Sequence, residues 1–316
     1  MAKHSTSPRA LIALLGLLPV VAGCHHGYDS PSPDGAAALV APAIPRTPPP
    51  VVFDAYKRPL VPLAIGNTWH YTITSSTQFA TPRGPLPFEV ITSPWVAQIQ
   101  GTQQSGNHLY FTQVEFNPGI RGVIPANQFL VRQDASGFFE LDTVHPLVTA
   151  DESGSAAEPP TVPVPRSIRD PAERAAFDRA AREIAARMQA VRFAFGWGGG
   201  GAEVGESSML LYPLRVGATW AVLREPLFTR RVTALERLTT PAGAFTAWRL
   251  QLHGELFGPR DGAVAWYSAS GLVRLSAHFE GIAFNGGQAV GRVITDTDQV
   301  LDDVQFGARA VASSDR

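Results

Sequence analysis

The sequence predicts a mainly β (α+β) protein, with a curved antiparallel sheet or half-barrel of about ten strands and one amphipathic helix packed on it. Two segments carry this prediction, because apolar and polar residues alternate strictly along 248–253 and along 273–280. Strands with one apolar and one polar face are typical of antiparallel sheets that expose one face to water. A third observation, the presence of 29 Gly and 27 Pro among 316 residues, indicates many turns.

The composition excludes several classes of protein. Hydrophobic residues make up 45% of the chain and charged residues 17%, so the chain can bury a core and is not wholly disordered. A formal net charge of −1 excludes the basic surface of a nucleic-acid-binding protein. A single Cys excludes a disulfide scaffold and a multi-cysteine metal site. Strands do not alternate with helices and there is no Walker loop, so we do not expect a nucleotide-binding α/β fold.

Residues 1–23 have the features of a secretory signal peptide. Lys3 and Arg9 flank an apolar run over 10–18, which is shorter than the roughly 20 apolar residues that span a membrane. Val21-Ala22-Gly23-Cys24 follows and resembles the lipobox of bacterial lipoproteins. The resemblance implies cleavage before Cys24, a diacylglyceryl thioether on its sulfur and an acyl chain such as palmitate on its amino group. An ordinary signal peptide with an incidental Cys is the alternative.

The same resemblance predicts which membrane holds the protein. In many Gram-negative lipoproteins, an Asp directly after the lipidated Cys retains the protein at the inner membrane. His25 occupies that position here, so we expect a cell-envelope protein at the outer membrane. His25 and His26 lack further ligands nearby, and the other histidines do not form a metal-binding motif. We therefore expect no metal and no cofactor.

The rest of the chain divides by composition. Residues 24–62 contain nine Pro and are predicted to form a semi-rigid tether. Residues 63–310 are predicted to form a single β-rich domain with a helical insert at 152–206. A disordered tail is expected at 311–316.

A short motif occurs twice and marks two strand starts. Pro62 to Trp69 matches Pro213 to Trp220 at five of eight positions. Gly66 and Gly217 suit a tight turn with positive φ, and the Trp that follows each is a large core residue that opens a strand. We interpret the repeat as two equivalent strand starts in one curved sheet, with two duplicated domains as the alternative.

Three motifs together resemble a group of uncharacterised bacterial lipoproteins. In that group, a Pro-Leu-x-x-Gly-x-x-Trp start precedes a Pro-Ala-Gly-x-Phe turn and a Trp-Tyr…Gly-Leu-Val hairpin. The present chain has the turn at 241–245, with Gly243 and Phe245, and the hairpin at 266–273. These residues are structural. The group is similar to half-barrel lipoprotein carriers, and this likeness implies acyl chains or lipoproteins held on a concave sheet.

One amphipathic helix is predicted inside the insert. Asp170 is the expected N-cap, Pro171 the first helical residue and Glu173 the third. One stripe of the helix is apolar, at Phe177, Ala181, Ile184, Met188, Val191 and Phe195. We expect the helix to pack across the open side of the sheet as core. A lid over a ligand groove and a membrane-surface helix are the alternatives.

The search for a chemical site gives few residues. There is no G-x-S-x-G motif, and we expect no catalytic residue. Glu89, Glu115 and Glu140 are interpreted as surface carboxylates, and 296–303 as an acidic, solvated turn. A Trp platform for a sugar or lipid is an alternative to core positions for Trp69, Trp95, Trp220, Trp248 and Trp266. The residues that would face an apolar ligand are Trp95, Phe177, Ile184 and Met188.

These observations favour a non-enzymatic envelope lipoprotein whose curved sheet binds an apolar ligand or another envelope protein. A structural or accessory subunit of an envelope complex, with no small ligand, is the second interpretation. A hydrolase of unknown class is the third. The expected contacts are the membrane, through Cys24, and an apolar ligand or envelope protein, but not nucleic acid.

Overall fold

The computed structural model describes residues 60–118, 127–141, 162, 165–194, 205–224 and 227–307, with the side chains of its helix described as far as residue 188. The predicted signal peptide, Cys24, most of the tether, the parts of the insert at 152–161, 163–164 and 195–204, and the tail at 311–316 lie outside the described residues. Those predictions therefore stay predictions.

The described residues form one antiparallel sheet of thirteen strands and one helix. The helix, α1, spans Pro171–Ala194. The strands are Thr68–Thr81 (β1), Gly84–Pro85 (β2), Glu89–Ser105 (β3), His108–Phe116 (β4), Asn127–Gln133 (β5), Gly137–Leu141 (β6), Glu206–Leu211 (β7), Thr219–Arg224 (β8), Leu227–Thr240 (β9), Gly243–Gly254 (β10), Gly262–Ser268 (β11), Gly271–Asn285 (β12) and Gln288–Gln305 (β13).

The sheet curves until its two end strands lie side by side. The strand order is β7-β6-β5-β4-β3-β1-β13-β12-β11-β10-β9-β8, with β2 paired to β1. The indole of Trp220 in β8 donates a hydrogen bond to the carbonyl of Ser208 in β7, at 2.9 Å. The predicted β-rich fold with one packed helix is confirmed. The sheet has thirteen strands, which is more than the ten or so expected from sequence. Strands such as β6, with four consecutive buried residues, are covered on both faces, so they lack the alternation by which strands are recognised in a sequence.

Long strands of the second half show the predicted alternation. Along β12, Val273, Leu275, Ala277 and Phe279 are buried, while the residues between them are half-exposed. The interpretation of 296–303 as a turn is wrong, because these residues lie within β13. Asp298 forms a two-point ion pair with Arg274 of β12, and Asp296 hydrogen-bonds His278 at 2.7 Å. Acidic residues can occupy this strand because basic partners lie opposite them on its outer face.

The sheet consists of two meanders of similar construction. One comprises β1 and β3–β7, the other β8–β13, and β1 pairs with β13. The two start motifs have the same backbone geometry. Gly66 and Gly217 have φ of 90° and 91°, and each donates its N–H to a carbonyl of the next long strand at 2.8 Å. The repeat therefore opens two halves of one sheet.

A second repeated element is visible in three dimensions. Ala-Ser-Gly turns join β5 to β6 at 135–137 and β11 to β12 at 269–271. The first start motif contacts the turn of the other meander, since Trp69 donates its indole N–H to the Ser270 carbonyl at 2.6 Å. Tyr212, which directly precedes the second start motif, donates its backbone N–H to the Ser136 carbonyl at 2.9 Å. Motif and turn thus bind the two halves together at one end of the sheet.

We call this end the base: β1 and β8 begin there, and β13 ends there. The opposite end, where β12 turns into β13, is the top. All neighbouring strands are antiparallel, so successive turns lie alternately at the base and at the top.

Helix α1 packs on the concave side of the sheet against β12 and β13. Asp170 caps its start, because its carboxylate accepts the Ala172 N–H at 2.8 Å, as the sequence predicted. Phe177 and Ile184 are fully buried, and the Phe177 ring meets the edge of Phe79 with 5.6 Å between centroids. Gly281 in β12 permits this close approach, since a Cβ there would lie 3.2 Å from the Ile184 Cδ1. Within the part of the chain that the structure describes, no helix is long and apolar enough to span a bilayer.

Candidate functional site

A small polar cavity lies inside the base half of the sheet. Its volume is about 40 Å³, and its walls come from both meanders. The polar side chains around it are Tyr71, Gln113, Glu115, Glu140 and Tyr267. Glu115 and Glu140 are 1% and 3% exposed, so the interpretation of these two residues as surface carboxylates is wrong. Glu115 in β4 and Glu140 in β6 lie where their strands are covered on both faces, so neither strand offers the solvated face that a surface carboxylate needs.

Glu115 is held by hydrogen bonds from two neighbours. Its Oε2 accepts the indole N–H of Trp95 at 3.2 Å, and its Oε1 accepts the side-chain amide of Gln113 at 3.0 Å. Burial raises the pKa of the Tyr71 hydroxyl well above its usual value, and the charge of Glu115 raises it further. That hydroxyl donates to the Leu272 carbonyl at 3.1 Å, so Tyr71 is a neutral donor inside the sheet.

Arg230 supplies a positive charge from the second meander. The residue is fully buried, and burial lowers its pKa, opposed by the nearby Tyr267 and Glu140. A hydrogen bond joins its guanidinium to Tyr267, and its Nη1 donates to the carbonyl of Met209 in β7. Burial in turn raises the pKa of Tyr267. Buried charges in proteins are paired, and here the pairing crosses from one meander to the other.

We call residues 60–62 the strap, because they bond to both meanders at the base, beside the cavity. The Gln133 side-chain amide accepts the Val61 N–H at 3.1 Å and donates to the Val61 carbonyl at 2.7 Å. The Leu60 carbonyl accepts the Gly271 N–H at 3.0 Å. Leu60 and Val61 are each 6% exposed, and Val61 lines the cavity. This described end of the predicted tether is therefore packed against both meanders.

The predicted ligand-facing residues do not meet in one place. Trp95 is half-buried beside Glu115, whereas Phe177, Ile184 and Met188 are buried between α1 and the sheet. None of the three helix residues lines the cavity. The other site residues named from sequence are Gly66, Trp69, Gly217, Trp220, Gly243 and Phe245, which lie at strand starts and turns.

The Trp residues do not form one platform. Trp69, Trp220 and Trp248 are at most 9% exposed, and their indole faces are part of the core. Trp266 lies on the outer face between Arg249 and Arg274, with guanidinium carbons 5.9 Å and 5.4 Å from its ring centroid. Three of the five candidates are thus unable to present a ring to a sugar or a lipid.

Sequence reasoning missed Arg230, Tyr71 and Tyr267. A signal for Arg230 was present, because β9 alternates and Arg230 shares a side with Phe228 and Val232, which are both fully buried. A charged residue at an apolar position of a strand indicates a buried ion pair or a site. Among the described residues there is no group of three His, Cys, Asp or Glu that could hold a metal ion.

No protein-family model matches the chain, and no curated protein matches it by sequence. Solved structures of similar fold include a protein from Bacteroides fragilis NCTC 9343 named as exported and of YmcC-like fold. It is 13% identical with a TM-score of 0.33, over 78% of this chain and 98% of that one. A protein from Parabacteroides distasonis ATCC 8503 named as a lipoprotein is 12% identical with a TM-score of 0.29, over 78% and 98%.

A third similar structure is that of lipovitellin, described for its lipid–protein interactions. It is 10% identical with a TM-score of 0.32, over 77% of this chain and 26% of that one. Similarity at these identities concerns only the path of the backbone. The function proposed below depends on the residues of the present chain.

Proposed function

We propose that the chain is a non-enzymatic lipoprotein of the bacterial envelope that acts through its outer surface, as an accessory subunit that binds other envelope proteins. The observation that carries the proposal is the small size of the cavity inside the described part of the sheet. The strap packs across the base beside this cavity, α1 packs on the concave side against β12 and β13, and the cavity measures about 40 Å³. Pockets that hold small ligands have volumes of about 300–1,000 Å³.

The lipobox supports the envelope location. Acyl chains on Cys24 would hold the protein at a membrane, and His25 after it favours the outer membrane. The strap places the start of the folded part at the base, so the anchor would reach the domain from that end.

A carrier of an apolar ligand is the second candidate, with α1 as its lid. Phe177, Ile184 and Met188 form the buried face of the helix, so displacing the helix would uncover an apolar surface. Two arginines act against displacement. Arg187 pairs with the buried Asp261 and donates to the Glu280 carbonyl at 2.7 Å, and Arg179 donates to the Phe284 carbonyl. These bonds favour the helix as permanent core.

A hydrolase is the third candidate, and it rests on Glu115 and Glu140. Both carboxylates border the cavity, but the two oxygens of Glu115 already accept hydrogen bonds from Trp95 and Gln113, and the cavity is much smaller than a substrate pocket. We therefore propose a structural role for this acidic pair, as partners of the buried donors around it.

The experiment is native mass spectrometry of the full chain purified from its own membrane. We expect the mass of a chain that starts at Cys24 and carries covalent acyl groups, without further lipid. A retained non-covalent lipid would instead support the carrier. Titration of the soluble Cys24→Ser form with the apolar dye N-phenyl-1-naphthylamine is the companion measurement. We expect no saturable binding, and a one-to-one complex would contradict the proposal.

A further inference from the structure

Three exposed apolar side chains lie at the base. Ile65 and Val216 occupy equivalent positions in the two start motifs and are 58% and 62% exposed. Phe306, just after β13, is 54% exposed. Gly307 lies beside Ile65, because its N–H bonds the Asn67 side chain at 2.9 Å and a Cβ on it would meet the Ile65 carbonyl. Exposed apolar side chains also lie toward the top, among them Phe88, Val90, Ile91, Ile282 and Phe284, so what sets the base apart is its low charge and the entry of the chain.

The two loops that carry these side chains are held rigidly. In the first, the Gly66 N–H bonds the Ile99 carbonyl at 2.8 Å and the Asn67 N–H bonds the Ala64 carbonyl at 3.0 Å. In the second, Gly217 and Ala218 donate the equivalent bonds at 2.8 Å and 3.0 Å. These backbone hydrogen bonds therefore hold Ile65 and Val216 in their exposed positions.

The base carries little charge. Among its described turns, at 62–67, 106–107, 134–136, 212–218, 241–242, 269–270 and 306–307, the charged residues are Asp134 and Arg215. Asp134 is already engaged, by Arg132 and by the hydroxyl of Ser136. The top turns, in contrast, include Arg83, Glu255, Arg260 and Asp261. An uncharged end with apolar tips suits a hydrophobic surface better than a charged partner.

The chain also enters the domain at this end, where the strap packs at Leu60. Residues 25–59 separate it from Cys24, the proposed lipid attachment site. Chain connectivity thus links the proposed lipid attachment site to the same end that carries the apolar tips.

We infer that the base is a membrane-docking surface, with Ile65, Val216 and Phe306 seated at the boundary between headgroups and acyl chains of a bilayer. This inference builds on the proposed lipid anchor, which keeps the domain near the bilayer. Docking adds a second, weak membrane contact to the anchor, and it orients the sheet with its top away from the membrane. Apolar side chains at this depth bind lipid by burying apolar area.

The test uses single-cysteine variants that carry the environment-sensitive fluorophore NBD. Ile65→Cys and Val216→Cys probe the base, and Leu256→Cys and Ile282→Cys are matched controls, 45% and 53% exposed, near the top. All four also carry Cys24→Ser, so the label has one site. A hexahistidine tag placed directly before residue 24 tethers the full mature chain to vesicles of phosphatidylethanolamine and phosphatidylglycerol that contain a nickel-chelating lipid.

We expect blue-shifted emission and quenching by doxyl-labelled lipid at positions 65 and 216, and neither at 256 or 282. Equal signals at all four positions would overturn the inference. A blue shift at 65 and 216 without vesicles would show instead that a second copy of the chain covers the base. Flotation of the natural lipidated chain with vesicles tests the anchor separately, because the nickel tether does not need Cys24.

Discussion

The side-chain amide of Gln133 pairs with the backbone of Val61 as a neighbouring strand would, accepting its N–H at 3.1 Å and donating to its carbonyl at 2.7 Å. One glutamine in the first meander thereby fixes the strap across the base. The Tyr212 hydroxyl adds a bond to the same Gln133 oxygen at 2.7 Å. The strap can lie against the cavity because this short segment satisfies its polar groups inside the sheet.

The first prediction tests this contact. Replacing Gln133 by Ala leaves the Val61 backbone groups without these partners, and buried polar groups without partners cost about 1–3 kcal/mol. We expect the free energy of unfolding in urea to fall by about that amount. Gln288→Ala, at an exposed position, is the control and should change it by less than about 0.5 kcal/mol. Equal effects of the two variants would show that the strap is not held by Gln133.

The second prediction concerns the buried charge of Arg230. Arg230→Met removes the positive charge that lies near Glu140 and Tyr267, and removing one partner of a buried pair costs about 3–5 kcal/mol. Arg231→Met is the matched control, because the neighbouring side chain is exposed. If thermal unfolding of the two variants coincides, Arg230 does not join the two meanders.

The third prediction compares the Trp residues. Trp69→Ala and Trp220→Ala should each lower the free energy of unfolding by about 3–5 kcal/mol, since both remove a buried ring. Trp266→Ala, on the outer face, should cost clearly less. A small effect at Trp69 or Trp220, measured by denaturant unfolding, would place that ring outside the core.

Much of the fold follows from the sequence. Some features depend only on residues that are close together in the sequence, and these could be predicted. They are the alternation along β12, the capped start of α1 and the equivalence of the two start motifs. Pairing between β1 and β13 joins residues more than 200 positions apart, and no local pattern specifies it. The second repeat was missed for a similar reason, because a three-residue Ala-Ser-Gly turn is too short to stand out until the structure places it against the start motif.

The candidate site was less predictable than the fold. Glu115 and Glu140 look like surface residues because a carboxylate in a strand is usually solvated. Their burial depends on partners that the local pattern does not reveal, namely Trp95 of the neighbouring β3 for Glu115 and Arg230 of the second meander for Glu140. The strap falls within the predicted tether because the Pro-rich composition of 24–62 extends to Pro62, while its partner Gln133 is 72 positions away in the sequence.

The fourth prediction concerns pH. Hydrogen bonds from the Ser136 hydroxyl, opposed by burial and supported by the Ser136 N–H and Arg132, lower the pKa of Asp134 to about 2. A group whose pKa is lower in the folded state stabilises the protein above its unfolded pKa, and the effect is lost as pH falls through the folded value. We expect Asp134→Asn to flatten the decline of the urea midpoint between about pH 4 and pH 2. Identical pH profiles for both proteins would contradict this.

The fifth prediction concerns the contact between α1 and the sheet. Gly281→Val places a side chain where Ile184 already lies, and overpacking of this kind costs about 1–3 kcal/mol. Gly101→Val is the control, because a Cβ at that position in β3 would meet nothing within 4 Å. A Gly281 variant as stable as the control would show that the helix moves aside readily.

Native-state hydrogen exchange tests the central claim, that α1 is a permanent part of the core, most directly. Helix amides at 175–192 are to be compared with strand amides at 248–253 in the unmodified chain. The account predicts similar protection in both, because Phe177 and Ile184 are fully buried and Arg187 ties the helix to Asp261 and β12. Exchange of the helix amides orders of magnitude faster than the strand amides would contradict it and would identify α1 as a lid.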